Sequence, residues 1–265
     1  MVTSGSYLKN KTILQQKKSI TVLGSGQSAA EIFYDLLEDI DAYGYQLNWV
    51  TRSPRFFPLE YTKLTLEMTS PEYVDYFYSL PENKREALNR RQKSLYKGIN
   101  SSLINEIFDL MYIKRLSGKL DAALYTNSEL QQVRHVATEP DETEKLVLDL
   151  YQQEQEAEFS LITEGVVLAT GYQYQPPGFI EGIQHLIRWD KQGRYDVQRN
   201  YSIDHNNEIF VQNVELHTHG FVTPDLGMAS YRNSNLIQEI TGTEHYVIEK
   251  SIAFQQFGVV SEEVI

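Results

Sequence analysis

Cysteine is absent from all 265 residues. That excludes disulfides, thiolate metal sites, a cysteine nucleophile and dithiol redox chemistry together. Apolar runs are short. None approaches the ~18 residues of a membrane span, and the start carries no apolar signal-peptide core. Basic residues are scarce, 24 Lys and Arg against 36 Asp and Glu, for a net charge of -12. A nucleic-acid partner wants a basic face, so this balance argues against one while leaving room for a small phosphate-binding pocket. No cluster with metal-ligand spacing stands out. His217 and His219 alternate along an expected strand or turn without a third ligand, so no metal is expected. With 41% hydrophobic and 23% charged residues, the chain reads as a soluble cytoplasmic protein with one large or two modest domains.

What is present begins with "SITVLGSGQSAAEIFYDLL". Residues 19–23 read as a strand, and 29–39 as an amphipathic helix with Ile32, Phe33, Leu36 and Leu37 inward. "YQLNWVTRS" supplies a second strand over 46–51, ended by "SPRFFP". This is the β-α-β opening of a doubly wound α/β sheet. Gly24, Gly26 and Ala29 spell G-x-G-x-x-A. The first glycine permits the tight turn, the second admits a pyrophosphate, and the small third residue lets helix and strand pack closely. The expected contacts are Gly24, Ser25, Gly26, Gln27, Ser28 and Ala29, with the amides of the last three facing phosphates at a helix N-terminus.

An NAD site wants a carboxylate after the second strand. "WVTRSPR" offers Arg52 and Arg55 instead. A guanidinium suits a 2′-phosphate, so NADPH is favoured over NADH.

Residues 70–116 read as mostly helical, with Ser70 and Pro71 at a helix start. Strands are expected in "AALYTN", "QQVRHVAT", "KLVLDLYQ" and the continuous "AEFSLITEGVVLATGY", with "EPDETE" and "QQEQEAE" as solvated turns and edges. A strand "EIFVQNV" and a helix "SYRNSNLIQEIT", its Arg232 and Asn233 partly exposed, close the chain.

Together "VLGSGQSAAEIFYDLL", "TRSPRFFPLEYTKLTLEMTSPEYVDYFY", "LYKGINSSLINEIFDLMY", "LATGYQYQ", "HTHGFVTPDLGMASYRNS" and "EKSIAFQQFG" resemble the NADPH-dependent flavoprotein N-hydroxylating monooxygenases of siderophore biosynthesis. The lysine N6-hydroxylases are the nearest branch. The resemblance implies a Rossmann-like NADPH-binding domain at 19–167, a lead-in at 1–18 and the C-terminal part of a split FAD-binding domain at 168–265. It implies N6-hydroxylation of L-lysine by O2, with FAD and NADPH as cofactors. The flavin fold's own glycine fingerprint is not among these residues, so weak FAD retention by this chain alone is expected.

Carried over by position, the resemblance adds Tyr96, Lys97, Pro224, Asp225 and Leu226 as cofactor contacts. Leu66, Glu67 and Gly227 become substrate contacts, with Leu66 and Leu95 as apolar surroundings that favour a neutral amine. No residue is assigned a catalytic role, since the cofactors carry the difficult steps. A noncatalytic NADPH-binding remnant, an ornithine or other amine hydroxylase, and another NADPH-dependent flavin reductase stay open, as does a homo-oligomer.

Overall fold

The computed structural model describes residues 1–136 and 144–259. In chain order its elements are β1 (Val2–Thr3), α1 (Tyr7–Gln15), β2 (Ser19–Leu23), α2 (Gln27–Tyr43), β3 (Gln46–Val50), α3 (Lys63–Leu66), α4 (Pro71–Ser79), α5 (Glu82–Arg91), α6 (Lys93–Tyr96) and α7 (Ser101–Ser117). There follow β4 (Ala122–Tyr125), β5 (Ser128–Val136), β6 (Lys145–Gln152), β7 (Ala157–Thr163), β8 (Gly165–Leu168), α8 (Leu216–His219) and α9 (Ala229–Thr241). None of the helices in the described residues is long and apolar enough to cross a membrane.

Two compact units result. The first comprises Met1–Leu59 and Lys97–Tyr172, the second Glu60–Tyr96 and Gln173–Ile265. This partition differs from the expected segments 1–18, 19–167 and 168–265. The lead-in is part of the first unit because β1 pairs with β8 and α1 packs on α2. Tyr7 and Leu14, seven residues apart, are both buried. Lys11 reaches Asp35 and Asp39 at 2.8 and 2.9 Å. The Tyr7 hydroxyl also donates to Asp35 and the buried Gln15 amide to Asp39, so this docking is largely polar and shows too little apolar periodicity to read in advance.

The first unit is a Rossmann-like α/β layer. Five parallel strands run in the order β1-β8-β2-β3-β4. Alternation sorts their side chains. Ile20, Val22, Leu47 and Trp49 join a core with α1, α2 and α7, while Leu23, Val50 and Val166 join one with the antiparallel meander β5-β6-β7.

β2 and β6 match the expected bounds, and α2 runs longer than expected at both ends. It starts at Gln27 on a Gly26 N-cap and stops at Gly44, whose φ of 71° takes the left-handed form a helix end wants. The expected single strand through "AEFSLITEGVVL" is two strands in two sheets, β7 and β8. At Glu164 between them, the amide and one carboxylate oxygen bond back to Ser19 and Lys18 respectively. The turn expected at "EPDETE" lies almost wholly outside the described residues.

Thr21 and Asn48 are register partners facing the meander, both buried. Among the described residues their Oγ1 and Oδ1 atoms have no hydrogen-bond partner. Removing an unsatisfied buried hydroxyl while keeping its shape should help. Thr21→Val is therefore expected to raise the urea midpoint, by about 1 kcal/mol of stability, with an unchanged m-value. A lowered midpoint would show that the hydroxyl is in fact satisfied.

The second unit holds two small cores. One gathers Tyr73, Val74 and Phe77 of α4 with Phe221, Val222 and Met228, the other Ile180, Ile187, Tyr195, Val197 and Ile203. Ser70 caps α4, its hydroxyl accepting from the Tyr73 amide, with Pro71 in the first turn as expected. The strand expected at "EIFVQNV" is reduced to one bridge between Phe210 and Ser202. The buried Asp204 carboxylate takes the amides of Asn206, Glu208 and Ile209. Asn207 and Asn213, at φ 57° and 66°, bend the chain out of an extended path.

Candidate functional site

The site in the first unit lies at the carboxyl edge of the parallel sheet, where β2 ends beside β3 and β8. The strand order reverses here, between β2 and β8, and such switch points bind ligands in open α/β sheets. Gly24 is wedged between its neighbours. Its amide donates to the Val50 carbonyl at 3.0 Å, and a Cβ would lie 2.3 Å from the Ala169 carbonyl oxygen and 3.1 Å from the Ala29 Cβ. The first and third fingerprint positions are thus small because backbone and helix crowd them. Gly26 differs: a Cβ there would meet nothing within 4 Å. Its smallness leaves open space in front of the helix start, the cradle a pyrophosphate needs.

The amides of Gln27 and Ser28 open α2, where no preceding turn supplies a carbonyl. The Ala29 amide does not point outward as expected; it donates to the Gly26 carbonyl at 3.0 Å, closing the first turn. The Gln27 side chain is engaged too. Its oxygen accepts from the Asn100 amide at 2.8 Å and its nitrogen donates to Glu31 at 2.9 Å. It therefore ties the turn to the residue that caps α7. Ser25 is half-buried in the turn itself.

Arg52 stands two residues beyond β3 at the same sheet edge, exposed and without a hydrogen-bond or ion-pair partner among the described residues. Arg55 is also exposed, but its guanidinium lies 4.5 Å from the Phe57 ring centroid. Of the two, Arg52 is the uncommitted cation. Sequence reasoning missed Trp49. Its indole Nε1 donates to the Gly24 carbonyl at 2.8 Å, and its ring stacks on Phe33 at 5.0 Å. The turn is thus clamped from below. The signal was a tryptophan on the helix-facing phase of a strand, which reads only as core.

The remaining expected residues, apart from Lys97, which lies exposed in the first unit, belong to the second unit. Leu95 and Tyr96 are half-buried against the Tyr73–Phe221 core, and burial pushes the Tyr96 phenol up. Leu66 is half-buried on α3. The Glu67 carboxylate accepts from the amides of Phe254 and Gln255. Pro224, Leu226 and Gly227 are exposed, and Asp225 Oδ1 accepts from the Gly227 amide at 2.6 Å.

Two expectations in this region are corrected. Arg232 is buried, with 2% exposure, because its guanidinium donates to the Val222 and Asp225 carbonyls of the short turns and to Asn213 Oδ1. Asn233 is exposed and accepts from Gln212. His217 and His219 lie on the short helix α8, not on a strand, so residues two apart point to different sides. His217 Nε2 donates to the Tyr195 carbonyl at 2.7 Å. His219 is fully buried, stacked on Tyr201 at 4.5 Å, and burial drives its pKa down to about 3.

A family model described as L-lysine 6-monooxygenase/L-ornithine 5-monooxygenase matches residues 1–174. The putrescine N-hydroxylase of Shewanella oneidensis is 55% identical over 255 residues, 96% of this chain and 50% of that protein. The alcaligin biosynthesis enzyme of Bordetella pertussis is 48% identical over 100% of this chain and 57% of its own. The crystal structure of DfoA bound to FAD, the desferrioxamine-pathway cadaverine monooxygenase of Erwinia amylovora, matches with a TM-score of 0.94. Identity there is 66%, over 99% of this chain and 60% of that one. The chain spans about half the length of the curated relatives it matches.

Proposed function

This chain belongs to the L-lysine 6-monooxygenase/L-ornithine 5-monooxygenase family, and from that premise we propose that it serves NADPH- and FAD-dependent N-hydroxylation of a small aliphatic amine by O2 in siderophore synthesis. The substrate we favour is a diamine of the putrescine or cadaverine class. The names of the relatives at 55% and 66% identity support this over the lysine expectation. Lysine stays as a second arm of the test because the matching family model is named for lysine and ornithine.

The observation that carries the coenzyme half is the contrast between crowded Gly24 and open Gly26, with uncommitted Arg52 at the same sheet edge. These residues fit NADPH. The amides of Gln27 and Ser28 would take pyrophosphate oxygens at the positive end of α2. Arg52 would take the 2′-phosphate. Bound NADPH and FAD would supply the electrons and the oxygen activation. Pro224, Asp225 and Leu226, with Tyr96 and Lys97, are assigned to cofactor contact, and the 168–265 segment to the closing part of the flavin fold.

The amine must lose its proton before it can attack. A free alkylammonium of the lysine type has pKa near ~10.4, so the site must favour the neutral form by desolvation. Leu66 and Leu95 are assigned that task, and Gly227 a substrate-facing position.

Arg52→Ala should weaken NADPH binding about 10- to 150-fold, from the ~1.5–3 kcal/mol of a charge-assisted contact, and leave NADH nearly unchanged by calorimetry. Equal losses for both coenzymes would remove the 2′-phosphate role. For the whole reaction, NADPH oxidation with FAD should rise with putrescine or cadaverine more than with lysine or ornithine. The reverse ranking would restore the amino-acid substrate.

A further inference from the structure

In the second unit, the extended segment 252–255 is fastened to the stretch 63–72 by two carboxylates. Glu72 Oε1 accepts from the amides of Ile252 and Ala253, at 2.5 and 2.9 Å. Glu67 accepts from the next two, Oε1 from Phe254 at 3.1 Å and Oε2 from Gln255 at 3.0 Å. The Gln255 side chain closes the set by donating to the Leu64 carbonyl of α3. Beyond it Phe257 packs edge-on to Tyr73 at 5.1 Å. Four successive backbone amides thus end on two anions. Burial opposes both charges, yet these bonds outweigh it and hold both carboxyls below the ordinary range.

Glu67 therefore spends an oxygen on each of two strap amides. A residue so committed is poorly suited to hold an ammonium, and well suited to hold a piece of chain. We propose that Glu67 and Glu72 are positioning residues that fasten the 252–255 strap onto the Leu66-bearing helical stretch, and that the fastened strap, not the Glu67 carboxylate, sets the aliphatic length the amine site accepts. The length-setting half rests on the amine-hydroxylase reading above.

The two carboxylates make different predictions. Glu72 uses one oxygen for both strap amides, and its other oxygen, Oε2, is buried and bonds to none of the four. Glu72→Gln can keep its carbonyl oxygen on the strap. Glu67→Gln cannot, because its amide NH2 must face one of two N–H groups. Hydrogen exchange at residues 254 and 255 should then quicken at least about tenfold in E67Q, which corresponds to losing ~1.4 kcal/mol, and far less in E72Q. Amides of β2 and β3 should be unchanged in both.

In the full-length FAD-loaded enzyme, calorimetry with putrescine and with cadaverine supplies the second readout. E67Q should shift the ratio of the two affinities by fivefold or more toward parity, within the ~10–200-fold that one methylene commands. Unchanged exchange at 254 and 255 overturns the fastening, and equal weakening of both diamines overturns the length-setting role in favour of direct contact. If wild type binds neither diamine, the substrate reading and the length-setting role fall together, while the exchange arm still decides whether Glu67 holds the strap.

Discussion

Alanine at position 24 should prevent stable folding of the first unit, while alanine at position 26 should leave it folded and strip it of coenzyme affinity. The two glycines sit two residues apart in one motif, yet the protein uses them for opposite reasons. A Cβ on Gly24 would stand 2.3 Å from the oxygen and 2.9 Å from the carbon of the Ala169 carbonyl. Both atoms are backbone, so no rotamer change relieves the collision. Ala169 is itself held by its amide bond to the Leu23 carbonyl at 2.8 Å. The ends of β2 and β8 must part, breaking the ladder at the switch point. Overpacking against side chains usually costs ~1–3 kcal/mol. Against backbone on a central strand, Gly24→Ala should exceed about 3 kcal/mol, among the larger single-residue effects.

Gly26→Ala meets nothing within 4 Å, at an ordinary φ of -106°. Its methyl would instead enter the open space in front of α2 that the proposed function gives to the pyrophosphate. Circular dichroism with urea titration, followed by NADPH calorimetry on whatever folds, separates the two. A folded Gly24→Ala protein of wild-type stability would mean that the β2–β8 seam yields. Full NADPH affinity in Gly26→Ala would move the coenzyme away from this turn.

Acidification from pH 7 should destabilise the second unit before ordinary carboxylates protonate. Burial drives the His219 pKa from 6.5 to about 3, so the folded ring stays neutral where the unfolded ring takes up a proton. The folded value is depressed, so this residue's contribution is complete above pH ~6.5 and is lost as pH falls from there toward about 3. Between pH 7 and 4.5 the loss by linkage is on the order of 2–3 kcal/mol. His217, also lowered by burial, acts with the same sign. Glu215 opposes it: burial raises its carboxyl, so the folded state takes up that proton first and gains stability as pH falls.

The comparison that isolates His219 is the slope of stability against pH in wild type and in His219→Gln. The variant is expected to start less stable at pH 7, because its ring no longer stacks on Tyr201. Its slope between pH 7 and 4.5 should nevertheless be the flatter one by about 1 kcal/mol per unit. Parallel slopes would show that the histidine charges in place.

The strand-turn-helix around Gly24 and Gly26 was legible from residues alone, because G-x-G-x-x-A between an apolar run and an amphipathic one leaves few alternatives. Arg52 followed from its place after β3. Its preference over Arg55 gained a physical reason in the structure, where Arg55 lies against the Phe57 ring. Trp49 stayed hidden, since nothing in a strand's alternation says that an indole N–H will find a carbonyl 25 residues away. The strand alternative for His217 and His219, which stood beside a turn, failed for a related reason. Period-two spacing in four residues suits a strand, and the tertiary setting imposed a helical turn instead.

Local sequence determined the parts whose information is short in range: the strand-turn-helix unit, the Ser70 and Pro71 helix start, the β6 strand, and the choice of a cation over a carboxylate after β3. Tertiary structure alone decided the rest. It drew 60–96 into the second unit, folded the lead-in onto α2, split one apparent strand between two sheets, and gave the Glu67 carboxylate to backbone amides 187 and 188 residues away. The physical reason is that periodicity and capping report on neighbours within a few residues. A buried charge, a wedged glycine or a fastened strap depends on which distant backbone groups arrive without partners of their own.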